Sequence, residues 1–583
     1  MKKDHTPPTK SVFIFLAVLL PAIVFAQPKH DKKVMGYYAQ WAIYARDYNV
    51  WDIDASKLTH LMYAFFTTDY NAANPAATKL KSADPYADFE QNEGAHPWND
   101  PYKGNFADMR DLKIKYPHLK IIISVGGWTL SQNFPYIAQS AAARQALAAD
   151  MVNYMHQYPW IDGFDIDWEF PIIGGTEGNE YVNGRLVPAQ THTPDDHKNL
   201  VLLVKEMRKQ FDANFTGSSR KLVTIAAGNN VNNVKLQYIG PNNRPAGMTD
   251  DLTNYCDLIS YIGFDFGGNW RDTTCYNAPI QGSGVTVDPL YNSDPKKVQA
   301  LDVLTGIYLN DIGIPANKLV MGMPFYGKVF ENVAKTHPVP QYPGLFERAP
   351  RVNQWCPLPQ APKGSWDELN CENSGAVEFC DLAGLIGTNP HHFLSPSNPA
   401  KLSSSAVSDG WVRYWDNKAK MPYIYNASQN KFLMYDDERS IGLKSQFILN
   451  QGIAGGMIWE LSQDQRGTSR LLAKIDKVFT AGSVSAADAD DGSLSATGQN
   501  NTGSHLSVSV QPNPVKDKVY ITSDAGEVLQ SVTVLNIDGR QLARYDKFVS
   551  GDAVDLSSYS NGIYVLMITD SNGNTDVKRV MKQ

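Results

Sequence analysis

The stretch Asp162–Pro171, read Asp-Gly-Phe-Asp-Ile-Asp-Trp-Glu-Phe-Pro, constrains this chain more than any other. Phe164, Ile166, Trp168 and Phe170 alternate with Asp165, Asp167 and Glu169. A two-residue period is a strand period, so the three acids share one face and the bulky apolar residues the other. Pro171 ends the strand or puts its edge in a loop. A solvent-facing edge strand normally carries both signs of charge, or lysine. Three acids without a base, backed by large apolar side chains, belong in a barrel or cleft. Like charges held that close raise at least one pKa, which keeps a carboxyl protonated near neutrality and lets it act as a general acid. The competing reading is an ordinary polar strand face, and the flanking chain argues against it.

The 583 residues suffice for several domains or for one large barrel with additions. Hydrophobic residues make up 43% and charged ones 19%, which is a folded rather than a disordered composition. The net charge of -7 and the lack of any long basic block exclude nucleic acid as a partner. Residues 1–26 read as an export signal. Lys2, Lys3 and Lys10 precede an apolar run from Val12 to Phe25, and Val24-Phe25-Ala26 offers a cleavage site before Gln27. No later stretch approaches eighteen apolar residues, so no transmembrane segment is expected in the mature chain. The five cysteines, Cys256, Cys275, Cys356, Cys371 and Cys380, permit one or two bridges in an oxidising compartment and leave the pairing open. They form no CxxC pair, and the adjacent His391 and His392 alone make no metal site. No metal and no other cofactor is expected.

Strand-like and helix-like stretches alternate from Val34 to Phe479. Val34–Ala39, Leu58–Phe66, Leu119–Val125, Asp162–Phe170, Lys221–Ala227, Leu258–Phe266, Leu319–Tyr326 and Gly455–Glu460 read as strands. Asp108–Tyr116, Ser140–His156, Asp196–Phe211, Asp294–Leu309, Ser440–Gln451 and Gly467–Phe479 read as helices. About eight strands interleaved with helices predict an α/β fold, a closed (β/α)8 TIM barrel, rather than an open doubly wound sheet. No early GxGxxG with a distant acid supports dinucleotide binding. His60, in an apolar strand, reads as a core histidine.

Two insertions break the alternation. Ile172–Asp195 follows the acidic strand and would wall the C-terminal rim, where barrels place their sites. Residues 328–415 read as a small α+β insertion before the last strand, with a further strand-like piece at Lys431–Tyr435. The catalytic barrel is thus assigned to residues 27–480. Residues 481–505 are rich in Ser, Ala, Asp, Gly, Asn and Thr and read as a linker. Residues 506–583 read as a β-sandwich-like module, with strands at Leu506–Val510, Lys518–Thr522, Ser531–Asn536, Ala553–Leu556 and Ile563–Thr569 and turns at Asp538-Gly539 and Asn561-Gly562.

These residues carry a resemblance. Asp162, Asp165, Asp167 and Glu169 complete the DxxDxDxE pattern of glycoside hydrolase family 18, the chitinase family, and Ser124, Gly126 and Gly127 complete its third-strand SxGG signature. Met323-Pro324-Phe325-Tyr326-Gly327 is similar to the family's seventh-strand segment, and Trp459 to the eighth-strand tryptophan that floors the sugar pocket. The sixth strand departs from the pattern. Where the family has Met-x-Tyr-Asp, this chain has Ile262-Gly263-Phe264-Asp265, so Phe264 lacks the hydroxyl that would hold the substrate acetamide. Weaker acetamide positioning follows, or compensation by Tyr326 or Tyr261. Lys328 stands where many relatives have arginine. The C-terminal module resembles the type A sorting domain of the type IX secretion system, through Pro512-Asn513-Pro514, Asn561-Gly562-Ile563-Tyr564 and Lys578-Arg579.

The resemblance implies a secreted or cell-surface chitinase, exported through the periplasm and outer membrane by the type IX secretion machinery and acting on chitin or chitooligosaccharides. It implies Glu169 as the acid that protonates the glycosidic oxygen and Asp167 as the residue that orients the substrate's own N-acetyl group for attack. Asp165, deeper, would hold Asp167; Asp162, out of register, would be structural, as would Gly126 and Gly127. Trp459, Asp265, Tyr326, Phe264, Trp128, Tyr38, Phe65 and Trp270 form the expected substrate-binding set, and Trp41 and Trp366 have weaker claims. Two alternatives share the chemistry: an endo-β-N-acetylglucosaminidase acting on the chitobiose core of N-glycans, and a chitooligosaccharide-binding protein without catalysis.

Overall fold

The computed structural model describes residues 27–484 and 508–583, apart from 95, 183–184, 352–359, 370, 385–386, 524–527, 537–540, 550 and 571–574. The expected export signal, most of the linker, Cys356 and the Asp538-Gly539 turn lie outside the described residues. The chain divides into two compact units, which the described residues populate as 27–484 and 508–583.

Eight parallel strands close the barrel of the first unit: β1 (Lys33–Ala39), β2 (His60–Asp69), β3 (Lys120–Gly126), β4 (Ile161–Asp167), β5 (Leu222–Ala227), β6 (Leu258–Tyr261), β7 (Leu319–Pro324) and β8 (Gly455–Trp459). Pairing runs in sequence order, and β1 pairs with both β2 and β8, so no strand edge is left among the eight. The strands are largely apolar on both faces, as parallel strands between a filled lumen and a helical layer are, the exceptions including the polar lumen residues Ser124, Asp165, Asp167 and Thr224. Met35, Tyr37, Met62, Ile122, Leu258, Val320 and Met457 fill the lumen. Val34, Tyr38, Leu61, Ile121, Ile123, Phe164, Ile259 and Met321 pack outward beneath the helices.

The helices start where their caps allow. Ser140 caps Ala141–Gln157 by accepting from the Ala143 N–H. Asp437 caps Glu438–Gln451 by accepting from the Arg439 and Ser440 N–H groups, and Gly452, at φ 67°, ends that helix in the left-handed region. The expected helix at Asp294–Leu309 is broken into the turn Pro295–Lys297, the helix Leu301–Gly306 and the wider turn Ile307–Ile312.

The insertion is built on a five-stranded antiparallel sheet made of Ala376–Glu378, Tyr326–Phe330, Lys431–Met434, Met421–Asn426 and Trp411–Asp416, in that order. Tyr326–Phe330 pairs directly with Lys431–Met434, so the sheet runs past the expected limit at 415. Tyr326 is therefore the first residue of this sheet, rather than the last of β7. A buried ion cluster ties the insertion to the barrel. The Arg46 guanidinium donates to Glu378 Oε1 from Nε at 2.9 Å and from Nη2 at 2.5 Å, and its Nε lies 3.9 Å from Glu460 Oε1. Trp366 Nε1 donates to the other oxygen of Glu378 at 2.7 Å.

The second unit holds a three-stranded and a four-stranded antiparallel sheet around one cluster that includes Val519, Ile521, Val532, Val534, Leu566, Ile568 and Val580. Two of its strands, Gln541–Val549 and Thr575–Lys582, have no counterpart among the expected ones. Gln541–Val549 is largely exposed, with Phe548 its one buried residue, and its apolar residues do not alternate strictly with polar ones, which hides it.

Removing one member of a buried ion cluster leaves its partners uncompensated. Arg46→Ala is expected to destabilise the barrel by about 3–5 kcal/mol in equilibrium unfolding, with part of the loss recovered in Arg46→Ala/Glu378→Gln. A loss under about 1 kcal/mol would mean that the cluster does not hold the insertion to the barrel.

Candidate active site

Strand β4 delivers the acids as its alternation requires. Sheet pairing stops at Asp167, which sits opposite Gly126 and Ala226, so the expected strand to Phe170 ends three residues early. Glu169 and Phe170 rise into the rim loops. Asp162, at the strand's other end, accepts from Lys113 Nζ at 2.7 Å and the Ile121 N–H at 2.9 Å. It belongs to the framework on the barrel's opposite face.

Asp165 is fully buried and accepts three hydroxyl bonds: Thr224 Oγ1 at 2.6 Å, Ser124 Oγ at 2.8 Å and Tyr37 Oη at 3.1 Å. Burial pushes its pKa up, and the three bonds oppose that. Asp167 is also buried, and its Oδ1 has no hydrogen-bond partner. Burial, then the charges of Glu169 and Asp165, push its pKa well up. Glu169 is pushed up to about 8, first by burial and then by Asp265 and Glu180. The row thus runs from a saturated carboxylate, through one with a free oxygen, to an acid that keeps its proton near neutrality.

Gly126 and Gly127 make the approach of β3 to this row possible. A Cβ on Gly126, at φ 111°, would stand 2.2 Å from the Asp167 carbonyl oxygen. One on Gly127, at φ 83°, would meet the Phe65 ring at 2.8 Å. The Gly127 N–H donates to the Asp167 carbonyl at 2.8 Å, and Ser131 Oγ donates to the same oxygen at 2.9 Å.

An aromatic floor lies beside the acids. Phe65 stacks on Trp459, with centroids 5.6 Å apart, and Tyr37 meets Trp459 at 5.4 Å. Tyr326 Oη donates to Asp265 Oδ1 at 2.8 Å, and Phe264 packs edge-on against the Tyr326 ring. The Asp265 backbone, at φ 56°, is held by Asn277 Oδ1 at 2.8 Å from its N–H. Trp128 and Trp270 stand at the rim, 39% and 41% exposed. Lys328 Nζ lies 5.5 Å from the Trp270 ring and 5.2 Å from that of Tyr326, a cation–π placement in place of a planar contact.

Two residues stand elsewhere than expected. Tyr38 points outward, donating to the Tyr48 carbonyl at 3.0 Å and stacking on Tyr63; its neighbour Tyr37 reaches the lumen instead. Alternation sends two adjacent tyrosines to opposite faces, but a strand apolar on both faces does not say which one faces in. Tyr261 also faces outward, hydrogen-bonded to Thr305 at 2.6 Å and stacked on Tyr308, so it cannot replace the missing hydroxyl of Phe264. Trp41 flanks Phe65 at 6.3 Å. His60 is a buried strand residue whose pKa burial lowers to about 3. Tyr37, Thr224, Asn277 and Glu180 join the site without a sequence signal beyond strand period or loop position.

The model for glycosyl hydrolases family 18 matches residues 33–464, close to three quarters of the chain, and includes every residue of this site. The chain belongs to glycosyl hydrolase family 18. A secretion system C-terminal sorting domain matches residues 509–583. Among similar proteins, Chitinase ChiA of Flavobacterium johnsoniae is 52% identical over 90% of this chain. This chain spans only 32% of that protein's length. Chitinase A1 of Niallia circulans is 30% identical over 97% of the chain and 78% of its own length. Among solved structures, chitinase ChiA74 from Bacillus thuringiensis matches 95% of this chain and 85% of its own, at 25% identity and a TM-score of 0.60. A Group IV chitinase of Ostrinia furnacalis in complex with allosamidin matches 78% of this chain and all of its own, at 25% identity and a TM-score of 0.58. No helix among the described residues is long and apolar enough to cross a membrane.

The raised pKa of Glu169 carries a stability signature. A carboxyl whose folded pKa lies above its ordinary 4.5 contributes stability fully present below that value and lost as pH rises through about 8. Glu169→Gln removes the loss. Its melting temperature should match the parent's at pH 4 and exceed it at pH 9, by differential scanning calorimetry. An equal shift at both pH values would show that Glu169 carries no such burden.

Proposed function

We propose that this chain is a secreted chitinase that hydrolyses β-1,4 linkages between N-acetylglucosamine units by substrate-assisted, retaining catalysis. Family membership and the chitinase names of its relatives support the substrate class. The sorting domain supports delivery by the type IX secretion machinery, through the periplasm and outer membrane to the surface or medium. The observation that carries the mechanism is Asp167 Oδ1, a buried carboxylate oxygen without a donor beside the acid Glu169. A buried acceptor left open is costly, and an amide N–H of the substrate satisfies it.

In this reading Glu169 gives its proton to the glycosidic oxygen as the C1–O bond breaks. The carbonyl oxygen of the bound sugar's 2-acetamido group attacks C1 from the other face, forming an oxazolinium ion. Asp167 accepts from the acetamide N–H and stabilises the positive charge that develops there. Water then attacks C1, the Glu169 carboxylate takes its proton, and the configuration is retained. Asp165, held by three hydroxyls, keeps Asp167 in place. Tyr326, beside Phe264, is the hydroxyl closest in role to the missing sixth-strand tyrosine. Trp459 with Phe65 and Tyr37 forms the floor on which the sugar ring rests, since flat aromatic faces suit apolar sugar faces.

Chitotetraose and cellotetraose differ in the acetamide and separate this reaction from one with a carboxylate nucleophile. Turnover of chitotetraose alone, with the β-anomer first in NMR time courses, is expected, and Glu169→Gln should lower it by ~10²–10⁴ or more. Cleavage of both sugars at similar rates would contradict substrate assistance. Release of glycan from a high-mannose glycoprotein, with chitotetraose uncut, would favour an endo-β-N-acetylglucosaminidase.

A further inference from the structure

The loop after β4 returns over the rim as a small hairpin in which Glu180–Val182 pairs with Arg185–Val187. Its base is pinned in two places. Thr176 Oγ1 donates to the Pro188 carbonyl at 2.7 Å, and the Gln190 N–H donates to the Thr176 carbonyl at 2.8 Å. Gly175, at φ 88°, lies so close to the acid that a Cβ there would stand 2.5 Å from the Glu169 carbonyl oxygen and 2.9 Å from Gln190 Cβ. Gln190 Nε2 in turn reaches the Ser131 carbonyl behind β3 at 3.4 Å. The hairpin's position is thus fixed against the backbone of the acid itself.

From this base Glu180 extends to the rim of β3, where its Oε2 accepts from Trp128 Nε1 at 2.6 Å. A short bond from an indole N–H to a carboxylate is charge-assisted and directional. The indole is 39% exposed and also meets Phe170 edge-on, with centroids 6.4 Å apart. Glu180 also brings an acid onto a hairpin whose base lies against the Glu169 backbone. Among the described residues, Asp167 on β4, Asp265 after β6, Tyr326 in the insertion sheet and Tyr238 after β5 interact electrostatically with Glu169, and none of these four is a cation. Of the bases on these elements, Lys328 is placed over the Tyr326 and Trp270 rings, and Arg185 is exposed on the second strand of the hairpin.

We propose that Glu180 is a positioning residue with two separable roles: its hydrogen bond locks the Trp128 indole as a platform for a sugar at the rim, and its charge sets the field that Glu169 meets from the groove wall. The second role agrees with Glu180 being among the charges that raise the Glu169 pKa. The proposal rests on the chitooligosaccharide reading above.

Glu180→Gln keeps an acceptor for the indole and removes the charge; Glu180→Ala removes both; Trp128→Phe keeps a ring and removes the donor. These variants, with the parent, are compared on N-acetylglucosamine trimers to hexamers across pH. In Glu180→Gln the alkaline limb of kcat/KM should move to lower pH by several tenths of a unit, with KM unchanged. In Glu180→Ala the same movement should be joined by a several-fold rise in KM for the hexamer and little change for the trimer. Trp128→Phe should raise the hexamer KM and leave the limb in place. The lock is also read without turnover, from the indole N–H NMR signal that Trp128→Phe removes. That signal should stay downfield in Glu180→Gln and move upfield, with faster solvent exchange, in Glu180→Ala. An unmoved limb in Glu180→Gln overturns the charge role, and an unmoved indole signal in Glu180→Ala overturns the lock. Parent protein that leaves every oligomer uncut overturns the substrate reading instead, while the NMR comparison still judges the lock.

Discussion

Three alternating carboxyls, two inside the barrel on β4 and the third just past its end at the rim, are the constraint on which the rest of this molecule depends. Burial penalises each negative charge, and each neighbour penalises the next. The chain meets that cost unevenly. Thr224, Ser124 and Tyr37 give all their hydroxyl bonds to Asp165, and none reaches Asp167 Oδ1. Glu169, at the open end, meets the charges of Asp167, Asp265 and Glu180. Hydrogen bonds thus oppose the burial cost at Asp165 and leave it unopposed at Asp167 Oδ1, while Glu169 is pushed up to about 8. This arrangement places the protonated group where a ligand reaches it.

The surrounding architecture serves that arrangement. Closure of the eight strands buries the lower end of β4, and glycines at the end of β3 let two backbones approach where any side chain would collide. The insertion then adds Tyr326 from its own sheet, not from the barrel, and the Arg46 cluster holds that sheet against the rim. The hairpin after β4 brings Glu180 from the opposite side. The first unit is thus one barrel whose rim is completed by two additions, each tied back by buried or charge-assisted contacts.

Much of this was legible in the residues alone. Alternation in Asp162–Pro171 placed three acids on one face, and eight strand-like runs between helical ones gave the closed barrel. The framework role of Asp162 follows from its parity. Other features were hidden for physical reasons. Strand β1 is apolar on both faces, so nothing local distinguishes Tyr37 from Tyr38. Tyr261 sits in the same ambiguity on β6. The limits of the insertion depend on Lys431–Met434 pairing with Tyr326–Phe330, a contact between residues about a hundred positions apart. Gln541–Val549 is an exposed edge strand whose apolar residues do not follow a two-residue period. Contacts such as Glu180 to Trp128 arise from loop geometry, which composition does not encode.

The central claim is that Glu169 holds its proton near neutrality because burial, and then the charges of Asp265 and Glu180, penalise its ionised form. Difference infrared spectroscopy tests it directly, by following the protonated carboxyl band of the parent protein against Glu169→Gln as pH is raised. The account predicts a carboxyl band, absent from the variant, that disappears with a midpoint near 8. A midpoint near the ordinary glutamate value of 4.5 would contradict it.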